Sequence, residues 1–301
     1  MAGEALLVEA PAKVNLYLAV GERRSDGYHD VETVMQALEL HDSVLLTPAD
    51  TLRVTCEPDP GLPGDENLVA RAARALGEAV GRDPAYAIRV RKRIPAGGGL
   101  GGGSADAAAT LAGLAHAWAL DARDPALVAS AASVGADVPF FLAGGCALLR
   151  GRGDRLVKRL PDPRLHVALV NPGVPVSTAA AYAALDATPR PAAPGAAGMV
   201  AALEAGDPQG IGRALFDDMT PAALGLAPVV ADALALLRDR AGVLGACLSG
   251  SGSTVFGIFA DALSAEEAAR AGRGHGWWAE ATRTRDGGVA LQPAGHREES
   301  E

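Results

Sequence analysis

The chain is short of lysine and cysteine, carries no surplus of positive charge and contains no long apolar run. Each shortage removes a class of function. Lys and Arg total 27 against 36 Asp and Glu, a net charge of −9. That balance argues against a nucleic-acid surface, while leaving room for a local basic groove around an anionic nucleotide. No stretch of about 20 apolar residues is available to span a bilayer, and the N-terminus has no charged segment followed by an apolar cleavable run. A cytoplasmic protein with no nucleic-acid and no membrane partner is therefore expected. Cys56, Cys146 and Cys247 are odd in number, far apart and set in apolar surroundings. Reduced core thiols explain them better than a disulfide framework or a metal site. Lysine occurs only as Lys13, Lys92 and Lys158, although arginine is used freely.

With 301 residues, 49% of them hydrophobic, the chain can bury one large core or two moderate ones, and two is the expected division. Strand-type alternation runs over 5–20, 30–46, 52–56 and 85–93, with helices over 66–80 and 105–114 and a further strand over 143–149. Pro161 and Pro163 mark the expected boundary, giving units 1–162 and 163–301. Beyond them the pattern predicts strands at 166–170, 244–248 and 254–259 and helices at 177–185, 228–240 and 264–271. The Pro/Ala-rich stretch 187–198 reads as an exposed loop and the charged tail 295–301 as disordered. The fold class is α+β, without internal repeats.

The most informative segment is Pro95-Ala-Gly-Gly-Gly-Leu-Gly-Gly-Gly-Ser104, six glycines between a predicted strand and an Ala-rich helix. Glycine allows positive φ and close approach of a ligand to main-chain N–H groups, at an entropic cost that a neutral connection would avoid. The helix N-terminus that follows offers unpaired amides and a positive dipole end to phosphate. A P-loop would need Lys and then Ser or Thr after its last glycine, yet no Lys lies between Lys92 and Lys158. The dinucleotide fingerprint is met by letter at Gly97, Gly99 and Gly102, with Asp121 downstream. No βαβ alternation opens the chain, so that match is accidental.

A third pattern fits better. The segment resembles the nucleotide loop of the galactokinase, homoserine kinase, mevalonate kinase and phosphomevalonate kinase (GHMP) superfamily. Pro11-Ala-Lys13-Val-Asn15-Leu, Asp26-Gly-Tyr28-His29, Gly135-Ala-Asp137-Val-Pro, Asn171-Pro-Gly-Val-Pro and Leu248-Ser-Gly-Ser-Gly252 occur in the order found in one of its branches. That branch is the 4-diphosphocytidyl-2-C-methyl-D-erythritol kinase family, and the similarity spans 10–259. One departure is Ala105-Asp106, where many members carry Ser-Asn.

The resemblance implies a two-lobed fold, with an N-terminal lobe like ribosomal protein S5 domain 2 and a ferredoxin-like C-terminal lobe. It further implies ATP and Mg²⁺ as cofactors and a small cytidine diphosphate substrate, with the protein a monomer or weak homodimer. On composition alone Lys13 is as compatible with a strand-edge lysine whose stem snorkels outward as with a functional group, and Asp137 with a turn or N-cap residue. The family motifs imply that the two are the catalytic ammonium and carboxylate. Asn15 is then expected to orient the acceptor, with a buried structural Asn as its rival. Tyr28 is expected to stack on the pyrimidine, His29 to bond its edge and Tyr182 to add a second aromatic. ATP would be held by Pro95, Ala96, Gly97, Gly98, Gly99, Leu100, Gly101, Gly102, Gly103, Ser104 and Ala105. Asn67 is expected at the adenine pocket, a role compatible with a helix N-cap, and Ser104 is a candidate metal contact.

Overall fold

The computed structural model describes residues 4–59, 61, 67–188 and 190–292. Glu66, the expected start of the first helix, and the tail 295–301 lie outside the described residues. Strands β1 (Leu6–Arg23) and β2 (His29–Pro48) form a long antiparallel pair with register shifts near Lys13 and Asn15. Next come β3 (Arg53–Glu57), α1 (Leu68–Val80), β4 (Tyr86–Arg91), α2 (Gly102–Ala117), α3 (Pro125–Val134), α4 (Val138–Ala143), β5 (Cys146–Arg150) and β6 (Arg155–Leu160). The second half holds β7 (His166–Asn171), α5 (Thr178–Asp186), α6 (Ala197–Ala205), α7 (Pro208–Ala214), β8 (Phe216–Asp217), α8 (Thr220–Leu226) and α9 (Val229–Arg238). It closes with β9 (Val243–Leu248), β10 (Val255–Phe259), α10 (Ala262–Gly274), β11 (Trp278–Arg283) and β12 (Ala290–Leu291).

Two sheets organise these elements. The first has the order β12-β1-β2-β4-β3, with β5 and β6 continuing from the far part of β2 and β8 joining β1 in parallel. Its core packs Leu46, Leu76, Ile88, Leu111, Leu114 and Phe141 between sheet and helices. Truncating a side chain as buried as Leu111 would cost about 2–5 kcal/mol. The second sheet is antiparallel, β11-β7-β10-β9. Its βαββαβ order is the expected ferredoxin-like arrangement.

Several elements differ from the sequence reading. Sheet membership changes between Leu160 and His166, near the expected boundary, but β8 and β12 return to the first sheet and pair with β1. Strand pairing across such sequence distances leaves no local signal. Helix α2 starts at Gly102 rather than at residue 105, so the last two of the six glycines are helix. Propensity is overridden there by packing against Ile94 and Lys92, where a Cβ on Gly102 would lie 3.0 and 3.2 Å away. The stretch 187–198 already turns helical at Ala197.

Candidate active site

The phosphate-binding candidate is built from backbone. Gly97, Gly99 and Gly101 have φ of 66°, 80° and 73°, while Gly98 and Leu100 between them do not take positive φ. Such alternation turns successive N–H groups into one concavity suited to an anion. Gly102, Gly103 and Ser104 follow as the first helical turn, whose amides have no intrahelical acceptor. Gly101 occupies the N-cap with no side-chain cap bond, which leaves the helix end open to a ligand. Two glycines are demanded sterically as well. A Cβ on Gly99 would collide with the Ser249 carbonyl, and one on Gly101 would sit 2.7 Å from the Phe141 ring.

The loop is anchored from behind. Leu100 O accepts from Lys13 N at 3.0 Å, Gly98 O from Thr254 N at 3.2 Å, and Gly99 O from Ser249 Oγ at 3.1 Å. The last Gly-rich motif of the chain thus clasps the first. Beneath them Lys92 Nζ donates to Asp106 Oδ2 at 2.6 Å and to Asp42 Oδ2. Asp42 Oδ1 in turn accepts from the amides of Arg93 and Ile94. Both carboxylates are buried. Burial pushes the Asp106 carboxyl up to about 7, against the pull of Lys92. The departure at residue 106 therefore faces into the protein.

Lys13 and Asn15 are two residues apart on β1 and share one face of the sheet. Lys13, only 4% exposed, donates to Asn15 Oδ1 at 2.6 Å. Asn15 Nδ2 donates to Thr33 Oγ1 at 2.8 Å, and Thr33 to the Tyr17 carbonyl. The relay fixes the ammonium. Asp137 stands at the N-cap position of α4, yet its carboxylate makes no cap bond. Instead Oδ2 lies 3.8 Å from Lys13 Nζ, with the Asp137 side chain 29% exposed. Both line a cleft of about 540 Å³, together with Asn15, Thr33, Ser104 and the glycine loop. Asp217, unread in the sequence, is buried behind this pair. Burial holds its carboxyl well above the usual range, opposed by the Met219 amide and Lys13. Met219 N donates to its Oδ1 at 2.9 Å, and Oδ2 has no partner among the described residues.

At one end the cleft opens into a second cavity, of about 430 Å³, sharing Tyr28, Arg152, Thr178 and Tyr182 with it. His29 is buried here and stacks on Tyr182, with centroids 4.8 Å apart. Its Nε2 meets Asp186 Oδ1 at 2.8 Å. Tyr28 is 56% exposed, with the Arg152 guanidinium 5.1 Å above its ring. Burial, with Asp137 and Asp217 adding to it, pushes the Tyr182 phenol up to about 12. Arg152 and Asp186 escaped the sequence reading, the first lying just past the strand expected over 143–149 and the second just past the helix expected over 177–185. Only their convergence with Tyr28 and His29 distinguishes them.

Three expected contacts need restating. The side chains of Leu100 and Ala105 are fully buried in the core, so what they offer the cleft is backbone alone. Asn67 caps α1, accepting from Val69 N at 2.9 Å, and its Nδ2 reaches Cys56 Sγ at 3.7 Å. It is the neighbouring Leu68 that lines the cleft. The remaining loop residues Pro95, Ala96, Gly97, Gly98, Gly99, Gly101, Gly102, Gly103 and Ser104 all line it. No group of three or more His, Cys, Asp or Glu suited to a metal occurs among the described residues, and no helix among them is long and apolar enough to cross a membrane.

The GHMP kinases N terminal domain matches residues 67–145 and the GHMP kinases C terminal domain residues 199–276. A 4-diphosphocytidyl-2-C-methyl-D-erythritol kinase from Pelotomaculum thermopropionicum is 44% identical over 86% of this chain and 91% of its own length. One from Methylorubrum extorquens is 42% identical over 92% and 98%. Among solved structures, a 4-(cytidine 5'-diphospho)-2C-methyl-D-erythritol kinase superposes with a TM-score of 0.76 at 36% identity, covering 92% of this chain and 98% of that one. The homoserine kinase of Cytophaga hutchinsonii gives 0.75 at 25% identity, covering 96% and 98%.

Proposed function

The chain belongs to the 4-diphosphocytidyl-2-C-methyl-D-erythritol kinases within the GHMP kinases, and we propose that it phosphorylates the 2-hydroxyl of 4-diphosphocytidyl-2-C-methyl-D-erythritol. ATP is the donor and ADP the second product, in non-mevalonate isoprenoid precursor synthesis. The observation that carries the reading is the Lys13 ammonium 3.8 Å from the Asp137 carboxylate in a cleft lined by the glycine loop.

Phosphoryl transfer needs positioning, charge neutralisation and activation of the attacking hydroxyl. The loop amides from Gly97 to Ser104 hold the phosphates, and α1, capped by Asn67, places Leu68 on the adenine side. Asp137 accepts the proton of the 2-hydroxyl as its oxygen attacks the γ-phosphorus and the bond to the β–γ bridging oxygen breaks. The Lys13 ammonium, held by Asn15, faces carboxylate and phosphate together and offsets the negative charge that develops in transfer. Tyr28, His29 and Tyr182 take the cytosine end. Ser104, in the first turn of α2 and on the cleft wall, would offer its hydroxyl to Mg²⁺, a donor that suits an ion held mostly by phosphates and water. Bound there, the metal would offset phosphate charge.

The test is ADP formation with the cytidyl acceptor, homoserine and mevalonate side by side. Turnover with the first alone is expected. Turnover with homoserine or mevalonate instead would overturn the acceptor assignment, and none with any acceptor would leave a nucleotide-binding regulator.

A further inference from the structure

His29 is held on two sides. Tyr182 stacks on its ring plane, and Asp186, from the last position of α5, meets Nε2 at 2.8 Å. The other ring nitrogen, Nδ1, has no hydrogen-bond partner among the described residues, and the ring lines the 430 Å³ cavity. An ionised carboxylate can only accept, so the proton of a neutral imidazole facing it must sit on Nε2, which leaves Nδ1 a bare acceptor. Pyrimidines differ at position 4, where cytosine carries an amino donor and uracil a carbonyl acceptor. A ring locked with Nδ1 bare matches the first and repels the second.

We propose that Asp186 is a specificity-determining positioning residue: by holding the proton of His29 on Nε2 it presents Nδ1 as an acceptor to the 4-amino group of the base, and so excludes uridine nucleotides. The inference rests on the cytidine reading above. Binding uracil through Nδ1–H would force the proton off Nε2 and set a carboxylate against a bare ring nitrogen, a mismatch within a part-buried contact. Removing the carboxylate frees the ring to take either tautomer. Asp186 touches the base only through His29, and its side chain is 40% exposed, so its loss need not disturb the core.

The experiment is calorimetric titration of CDP and UDP at pH 8 into wild-type, Asp186→Ala and Asp186→Asn proteins, with ATP affinity as a control for folding. Imidazole ¹⁵N shifts of the wild type are recorded alongside. Wild type should prefer CDP by about tenfold or more, with the Nε2–H tautomer in the spectrum. The CDP/UDP ratio should collapse toward unity in Asp186→Ala while ATP binding is kept, and Asp186→Asn, whose amide can donate to Nε2, should also lower it. A merely structural tie between α5 and β2 would weaken both ligands together and leave the ratio unmoved. Retention of the wild-type ratio in Asp186→Ala, or an Nδ1–H tautomer in the wild type, overturns the proposal alone. Equal binding of CDP and UDP by the wild type overturns the cytidine reading beneath it.

Discussion

Lys13 and Lys92 flank the same glycine loop, both nearly buried, and they differ in how much negative charge surrounds them. Lys92 is clamped between Asp42 and Asp106, donating to both. Burial disfavours its charged form, but the two carboxylates more than offset this and hold its pKa above the ordinary value. Its donors are spent inside the protein. Lys13 donates to one neutral amide oxygen and stands 3.8 Å from a single carboxylate, so donor capacity remains for anionic oxygens entering the cleft. The lesson is that counter-charge, more than burial, separates a lysine that builds a loop from one that serves a ligand.

The comparison breaks most visibly if the chemistry does not follow Lys13. Asp137→Asn and Lys13→Ala should each lower kcat by about a hundred- to ten-thousandfold or beyond, with both substrates still bound by Asp137→Asn in titrations. The double variant should be little worse than either, since groups acting as one unit are non-additive. Near wild-type kcat in folded Asp137→Asn would make that carboxylate structural. Lys92→Met should do the reverse, costing about 3–5 kcal/mol of stability by leaving the buried Asp42 and Asp106 side chains without their shared cation. Urea melts of the Lys92 and Lys13 variants would show whether the two lysines divide in this way.

Gly101→Val tests the loop that both lysines serve. Its side chain would meet Phe141 and the stem of Lys13, so ATP affinity should fall steeply while CDP binding falls less. Unchanged ATP affinity in a folded protein would count against the loop assignment. The smallest effect concerns pH. The Asp106 carboxyl titrates near 7 in the fold and near 3.9 when unfolded, so the native state keeps a proton that the unfolded chain has released. This contribution is whole below about pH 4 and is lost as pH rises toward 7. Asp106→Asn should therefore gain in melting temperature relative to wild type as pH climbs through that window. A constant difference would show that Asp106 does not titrate there.

What could be read in the sequence was whatever lies close together along it. The glycine run, Lys13 with Asn15, and Asp137 ahead of Val138 and Pro139 each sit in a short motif with its own chemistry. Hydrophobic alternation located β1, β2 and β4, and an apolar run located β7. Hidden were partners joined only by folding: Asp186 against His29, Arg152 above Tyr28, Asp217 behind Lys13, Asp42 beside Lys92. None carries a local pattern, and an acidic residue ending a helix is indistinguishable from a solvated one until its neighbour is known. The start of α2 was misread for another reason. Glycine's intrinsic helix penalty, about 1 kcal/mol per residue, is outweighed by the packing around the loop.

The return of β12 to β1 has a consequence for biosynthesis. Val8 pairs with Leu291 and Glu9 with Ala290, while Val289 N donates to Phe141 O and Gly145 N to Gly287 O. These last bonds tie down α4, the helix that carries Asp137 at its head and sets Phe141 against Gly101. A nascent chain that has emerged as far as Phe259 already contains every glycine of both loops, together with Lys13, Asp137 and the cytidine-end aromatics. It still lacks the strap behind α4, so the bonds that Phe141 and Gly145 make to it form only after the second sheet has been synthesised.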